Sequence, residues 1–216
     1  MSTNGNPVIA RQGWPLIAAL LALIVAAKVF VGWLPAAVLV LITLAVVFVF
    51  RDPRREVPPV PLAVVSPASG TVASVEKVTD PWLEREAHRC RIHMSLLDVH
   101  SLRSPIEGKV MNQWSSKPQE PGIRRRYTYH IRTDEGEDVT LSLGMAMTGL
   151  MVRLTLQCGD RIGQGQPCGF LFLAGVIDVY MPESTRMEAK QGDHIDSGTG
   201  IIGKLVHKRA NGAAKP

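Results

Sequence analysis

The chain has 216 residues, 46 % of them hydrophobic, and a formal net charge of +5. This length accommodates one domain of about 150 residues and an appendage, and the charge suits anionic lipid headgroups. Without an aromatic-interleaved basic stripe or a recognition helix, nucleic acid is excluded as a partner. Three cysteines, Cys90, Cys158 and Cys168, have neither Cys-x-x-Cys nor zinc spacing, so we expect buried thiols and no metal site.

The first predicted elements are two apolar helices within residues 15–50, after an N-terminal tail at 1–14. This segment carries a single charge, Lys28, and turn chemistry interrupts it at "GWLP" (32–35). It is too long and too apolar for a removable signal peptide. Each helix of about 16 residues would be about 24 Å long, slightly shorter than a hydrocarbon core of about 30 Å. The sequence therefore predicts a membrane hairpin, and it leaves open whether the hairpin spans the bilayer or enters one leaflet.

A basic, proline-rich linker at 51–63 follows the hairpin and begins with Arg51, Arg54 and Arg55. We expect these arginines to bind lipid headgroups. Cationic flanks favour the cytoplasmic side of a membrane, and a hairpin returns the N-terminus to the same side. The expected location is the inner membrane, with the remainder of the chain in the cytoplasm.

Residues 64–208 are predicted to form an all-β domain, with a C-terminal tail at 209–216. The segments are short and β-branched, turn signals separate them, and none shows a long helical period. Eight strands are expected, at 70–78, 89–102, 108–114, 127–133, 139–145, 151–157, 169–181 and 200–206.

Two short patterns occur twice in this domain. Ser-Pro-x-x-Gly-x-Val appears at 66–72 and 104–110, and Gly-Asp-x-Ile-x-x-Gly appears at 159–165 and 192–198. In the second pattern aspartate caps a turn and glycine takes the positive φ. The pairing predicts two similar β halves, in a duplicated hybrid-motif (barrel-sandwich-like) domain.

Two candidate catalytic residues, Asp98 and His100, lie in "HMSLLDVHSL". On one strand they would point to the same face, and a carboxylate beside an imidazole can orient it for proton transfer. The alternative is a solvated pair on an exposed sheet face. His88, His130, His194 and His207 lack such partners and are expected at the surface.

The predicted strand at 169–181 is interrupted by Ala174-Gly175. A glycine within a strand is typical of a bulge, a bend or a close approach of another backbone.

These segments together resemble the short bacterial form of the phosphatidylserine decarboxylase family. The resemblance covers nearly the whole chain and is carried by "FRDPRREVP", "VVSPASGTVASVEKV", "HMSLLDVHSLRSPIEGKV", "TGLMVRL", "GDRIGQGQPCGFLFLAGVIDVYMP" and "GDHIDSGTGIIGKL". It implies a proenzyme that cuts itself at a Gly-Ser bond. The serine becomes a pyruvoyl group, which forms a Schiff base with the serine amine of the lipid and accepts electrons during loss of CO2.

The resemblance also identifies departures at the reactive positions. Ala174-Gly175 replaces the Gly-Ser of the family's F-G-S-R-V-D-V-Y-L-P. Glycine has no hydroxyl to attack the preceding carbonyl, so no pyruvoyl cofactor is expected. Ser69 stands where the family has aspartate, the histidine of "YHPG" is missing, and the "NER" segment is reduced to arginines at 124–126. Asp98, His100 and Arg153 remain; Arg153 is a further headgroup-binding candidate.

The expected function is that of a membrane-associated family member in phosphatidylserine-to-phosphatidylethanolamine metabolism that does not process itself. It would bind lipid, or partner an active homologue or a second copy of itself. One alternative is an active decarboxylase cut at Gly198-Thr199. Another is a membrane-anchored transport adaptor, which the absence of coiled-coil heptads and the arginine bias disfavour.

Overall fold

The computed structural model describes residues 13–53, 55–117, 120–146, 151–172 and 175–206. Two helices come first, α1 (Trp14–Phe30) and α2 (Trp33–Val49). Gly32 separates them with a φ of 124°, a conformation that L side chains rarely adopt. The expected helical pair is therefore present. Within the described residues, neither helix combines the length and apolar character needed to cross a bilayer.

The rest of the described chain is β structure, as predicted. The strands are β1 (Ala63–Val65), β2 (Gly70–Asp80), β3 (Arg85–Met94), β4 (Ser101–Arg103), β5 (Gly108–Ser116), β6 (Ile123–Arg132), β7 (Asp138–Ala146), β8 (Met151–Leu154), β9 (Arg161–Ile162), β10 (Pro167–Phe172), β11 (Gly175–Pro182), β12 (Arg186–Met187), β13 (His194–Ile195) and β14 (Ile201–Lys204).

A curled eight-stranded antiparallel sheet dominates the fold, in the order β13-β2-β3-β11-β7-β6-β5-β9. Two three-stranded sheets, β1-β14-β12 and β4-β10-β8, accompany it. The inward side chains of the large sheet, such as Ile92, Leu141 and Val179, are completely buried in the central core. Their burial is the main favourable contribution to folding.

The large sheet has the same arrangement on both sides of its central β11–β7 pair. The glycines at 70 and 108 occupy matching places, because a Cβ on Gly70 would overlap the carbonyl oxygen of His93 and one on Gly108 that of Arg132. The two sequence patterns also pair alike in each half. The Gly198 amide donates to the Ser66 carbonyl at 2.7 Å, and the Gly165 amide donates to the Ser104 carbonyl at 2.8 Å.

Two expected strands are broken. The strand expected at 89–102 ends at Met94, and a turn precedes β4, because the Asp98 carboxylate accepts a hydrogen bond from the Ser95 amide at 2.7 Å. The strand expected at 169–181 consists of β10 and β11, which belong to different sheets. The chain changes sheets between Phe172 and Gly175, and Ala174 lies outside the described residues.

Candidate functional site

Gly175 begins β11 in a place without room for a side chain. It lies opposite Met94 of β3 and Met145 of β7. A Cβ at this position would overlap Leu171 Cδ2 and lie 2.9 Å from the carbonyl oxygen of Gly144. Of the three explanations for the interruption, close backbone approach is the one that the packing supports.

The end of the sheet that holds Gly175 also holds the other family-like positions. Met94, opposite Gly175, is the last residue before the turn that contains Asp98. On the other side of β3, His93 lies opposite Thr71, so Ser69 precedes this same end of β2. Neighbouring strands are about 4.8 Å apart, which puts the ends of β2 and β11 about 10 Å apart across β3. The fold thus gathers sequence-distant candidates at one end of the sheet, here called the family-site edge: Ser69 before β2, Met94 and the turn with Asp98 after β3, and Gly175 at the start of β11.

Asp98 has a structural role in its turn. Besides accepting from the Ser95 amide, it donates its own amide to the Ser95 carbonyl at 3.2 Å. The imidazole paired with its carboxylate is that of His194, with Nε2 at 3.8 Å from Oδ1. His194 is exposed, as expected from the sequence.

His100 is completely buried and packs against aromatic rings. Its ring centroid lies 6.0 Å from that of Phe170 and 6.2 Å from that of Phe172. Neither ring nitrogen meets full hydrogen-bond geometry with a partner among the described residues. Burial lowers the pKa of His100, although the nearby Val49 backbone and the charge of Asp98 oppose this effect. The expectation of Asp98 and His100 side by side on one strand is therefore wrong, because the capped turn separates them from β3.

Ser69 lies in a buried polar niche. Its hydroxyl accepts a hydrogen bond from the Ser197 amide at 3.1 Å and from Arg55 Nη1 at 3.3 Å. The same Arg55 nitrogen lies 2.9 Å from the Asp196 carboxylate and donates to the Ser197 carbonyl at 3.3 Å. Arg55 is thus engaged within the domain, where the linker contacts the 66–72 and 192–198 patterns.

The other headgroup candidates lie on different segments of the chain. Arg51 follows α2, donates through Nη2 to the Leu97 carbonyl at 2.7 Å, and stacks 3.8 Å over the Phe48 ring. Arg153 lies on β8 opposite Phe170 and is exposed. Arg54 lies outside the described residues.

The sequence features considered above did not predict a buried ionic cluster on β11. The fully buried Asp178 accepts from Arg91 Nε at 2.7 Å and from Arg126 Nη1 at 2.6 Å, and Glu120 contacts both arginines. The hydrogen bond with Asp178 raises the pKa of Arg91. A charged residue between Ile177 and Val179 in an apolar strand was the available signal. Two arginines balance two carboxylates, so the cluster holds the strands together without presenting a net charge.

The expected exposure of His130 and the expected burial of Cys158 are both wrong. His130 is buried and lies 2.6 Å from Asp138 Oδ1, because the ion-pairing end of β6 folds against β7. Cys158 is exposed in the turn before β9, and its thiol contacts the Met111 carbonyl at 2.9 Å. Cys90 and Cys168 are buried as expected, and burial raises the pKa of each thiol to about 12.

The described residues hold no group of three or more His, Cys, Asp or Glu side chains placed to bind a metal ion. Gly198 and Thr199 occupy a turn between β13 and β14, with Gly198 buried at a φ of +79° against the side chain of Arg103. The Gly198 amide donates to the Ser66 carbonyl of the neighbouring pattern.

Comparison with known proteins identifies relatives along most of the chain. A phosphatidylserine decarboxylase family model matches residues 42–203. The phosphatidylserine decarboxylase proenzyme of Nitrosomonas europaea is 36 % identical over 88 % of this chain and 92 % of its own. That of Nitrosomonas eutropha is 33 % identical over 95 % and 100 %, and that of Symbiobacterium thermophilum is 34 % identical over 95 % and 99 %. No solved structure matches. The chain belongs to the phosphatidylserine decarboxylase family, and hence to phospholipid metabolism.

Proposed function

We propose that this protein is a membrane-associated, lipid-binding member of its family that does not convert itself into a pyruvoyl enzyme. The observation that carries the proposal is Gly175. The resemblance puts the pyruvoyl-forming serine at this position, where the chain has neither a hydroxyl nor space for a Cβ. Self-processing by serine needs that nucleophile. The residues present therefore do not fit a pyruvoyl group at 175.

The neighbouring candidates support the same proposal. The Asp98 carboxylate is engaged in capping its turn, and His100 is sealed among phenylalanine rings. Ser69 accepts hydrogen bonds at the position where the resemblance expects aspartate. A general base must reach the proton that it removes, and residue 175 has no hydroxyl proton for Asp98 or His100 to remove. The alternative cut at Gly198-Thr199 gains no support from the turn that Gly198 occupies, where its Cβ position is blocked by Arg103.

Membrane association is proposed from the surface of the two helices. Their side chains include many large apolar groups in contact with solvent, among them Phe30 at 85 % exposure and Trp33 at 77 %. Exposed apolar patches of this extent mark interaction surfaces, and Arg51 at the end of α2 suits anionic phospholipid headgroups. We further infer that the two matching β halves form the duplicated hybrid motif, supported by their equivalent glycines and pattern-to-pattern hydrogen bonds.

The test is the intact mass of the full chain purified from membranes. We expect one uncut polypeptide, because position 175 has no hydroxyl. A C-terminal fragment beginning at residue 175 with a blocked, carbonyl-containing N-terminus would refute the proposal. A fragment beginning at Thr199 would support the alternative decarboxylase.

The matched variant carries Ala174→Gly and Gly175→Ser, which recreates the family dipeptide. We expect at most slow, partial cleavage, since the new side chain must displace Leu171 and Ser69 does not supply a carboxylate. Efficient cleavage with phosphatidylserine decarboxylation would confine the loss of activity to one dipeptide. That result would contradict the proposal that the positions around residue 175 have also lost the ability to support self-cleavage.

A further inference from the structure

We propose that the turn at 95–98 is a second membrane contact, in which Leu96 and Leu97 enter the lipid interface beside the helical hairpin. This inference rests on the proposed membrane association and specifies how the β domain sits on the bilayer.

The two leucines are unusual for the β domain. Leu96 is 56 % exposed and Leu97 is 70 % exposed. Among the described residues after α2, Val206 is the one other large hydrophobic side chain with comparable exposure. An adjacent pair of leucines at the tip of a turn is a small apolar patch that folding alone does not explain.

The turn is built to hold both leucines outward. The Ser95 amide donates to Asp98 Oδ2 at 2.7 Å, and the Asp98 amide donates back to the Ser95 carbonyl at 3.2 Å. The Ser95 hydroxyl accepts from the Leu97 amide at 3.4 Å. Because these bonds satisfy three amides of the turn, its tip can contact an apolar phase at a lower desolvation cost.

The turn is attached to the end of the apolar hairpin. Arg51 is the second residue after α2 and donates to the Leu97 carbonyl at 2.7 Å. Phe50 stacks on Phe170 at 5.1 Å, and the buried Asp52 pairs with Arg103 at 2.9 Å. These contacts hold the leucines beside α2, so the apolar surface of the hairpin continues onto the turn.

A lipid bilayer is the occupant that this combination favours. Arg51 lies between the apolar helix and the leucines, and its stem and guanidinium suit the boundary between acyl chains and phosphates. Met94, immediately before the turn, lies opposite Gly175. Insertion of the turn would therefore hold the family-site edge at the level of the headgroups, where a membrane-resident lipid presents its polar end.

The experiment uses the full chain with Cys158→Ser, which removes the exposed thiol and leaves two buried ones. An environment-sensitive fluorophore is attached at Leu97→Cys, at Phe30→Cys in the hairpin, or at Lys77→Cys on an exposed site of β2. Each protein is mixed with phosphatidylethanolamine–phosphatidylglycerol vesicles containing a lipid-borne quencher. We expect the lipid-borne quencher to reduce the fluorescence of the labels at residues 97 and 30 and to leave that of the label at residue 77 unchanged.

Quenching at 30 without quenching at 97 would overturn the turn contact and leave the proposed membrane association standing. Absence of quenching at both positions would refute the membrane association and this inference with it. Equal quenching at 77 and 97 would also overturn it, because the domain would then have no preferred orientation.

A second measurement removes the leucines. The variant with Leu96→Ser and Leu97→Ser should need about tenfold more lipid for half-maximal binding to the same vesicles, equivalent to about 1.4 kcal/mol. Val206→Ser, which changes an exposed residue outside the turn, should leave the binding curve unchanged. Both variants change exposed side chains, so we expect both proteins to fold. An unaltered binding curve for the leucine variant would overturn the proposal.

Discussion

Individual residues at the family-site edge make specific packing and hydrogen-bond contacts. Gly175 lets β11 pass the Gly144 backbone and the Leu171 side chain. Asp98 caps a turn and His100 fills an aromatic pocket. The residues that indicated proton transfer in the sequence therefore also take part in turn formation and packing at this edge.

A first prediction concerns the space at residue 175. Gly175→Ala should destabilise the protein by about 1–3 kcal/mol, the usual cost of an overpacked site. Leu171→Ala should also destabilise it by leaving a cavity. The double variant should lose less than the sum, because removing the Leu171 side chain makes room for the methyl group. Urea unfolding of the three variants measures this coupling.

Gly163→Ala is the matched control for that cycle. A Cβ at residue 163 would meet its nearest neighbour, Gln166 Oε1, at an ordinary contact distance of 3.5 Å. We expect little change in its free energy of unfolding. Strict additivity of Gly175→Ala and Leu171→Ala would show that the two side chains do not compete for one space.

A second prediction is the pH dependence caused by His100. Its pKa in the folded protein is lowered by burial, whereas an unfolded histidine titrates near about 6.5. The unfolded chain takes up this proton first as the pH falls. The contribution of neutral, buried His100 to the free energy of unfolding is therefore present above pH about 6.5. Below that pH it is lost by up to about 1.4 kcal/mol per pH unit.

Urea unfolding between neutral and mildly acidic pH measures this slope. His100→Leu should reduce the slope, since the buried proton acceptor is gone. His194→Leu, at an exposed histidine, should retain it. Identical slopes for wild type and His100→Leu would assign the acid sensitivity to other groups.

At the scale of elements, the end of α2 is bound firmly to the β domain. The Asp52 carboxylate accepts from Arg103 at 2.9 Å and from the Ser101 hydroxyl at 2.8 Å, in a place where both charged residues are buried. Phe50 stacks on β10 next to this pair. The helical hairpin and the family-site edge are thus coupled through strands β4 and β10.

A third prediction tests this coupling. Asp52→Ala should destabilise the protein by about 3–5 kcal/mol, because it leaves the Arg103 guanidinium buried without its counter-charge. Asp134→Ala breaks the exposed pair with Arg161 and should cost at most about 1 kcal/mol. Thermal or urea unfolding in the same detergent compares the two variants. Equal losses would mean that the Asp52 pair contributes no more than a surface pair.

At the scale of the molecule, the end of the apolar hairpin meets the turn that links β3 to β4 through Arg51. The exposed apolar surface is concentrated on α1 and α2, with Leu96 and Leu97 held beside the end of α2. The large sheet leads away from this end along β2, β3 and β11. A bilayer in contact with the hairpin would therefore meet the edge containing Gly175.

A fourth prediction concerns location in the cell. The arginines after the hairpin favour the cytoplasmic side, so protease added to intact spheroplasts should leave the β domain uncut. The same protease should digest it after the membrane is permeabilised, which controls for intrinsic resistance. Digestion in intact spheroplasts would reverse the proposed orientation and favour the adaptor alternative.

Local sequence features determined the helical pair, the mainly β domain and most strand positions. Apolar runs, β-branched periodicity and turn residues act over a few neighbouring positions, so a single sequence expresses them directly. The missing hydroxyl at Gly175 was equally visible, because it is a property of one side chain. The repeated patterns likewise indicated the matching turns.

Only the tertiary structure decided which residues meet. Asp98 and His100 are two positions apart, yet Asp98 is half-buried and caps a turn, whereas His100 is completely buried in the core. The change of sheet between Phe172 and Gly175, the burial of Asp178 between two arginines, and the contact of Leu97 with Arg51 all join distant segments. Such contacts depend on strand order and register, which are set by packing over the whole domain and not by local propensity.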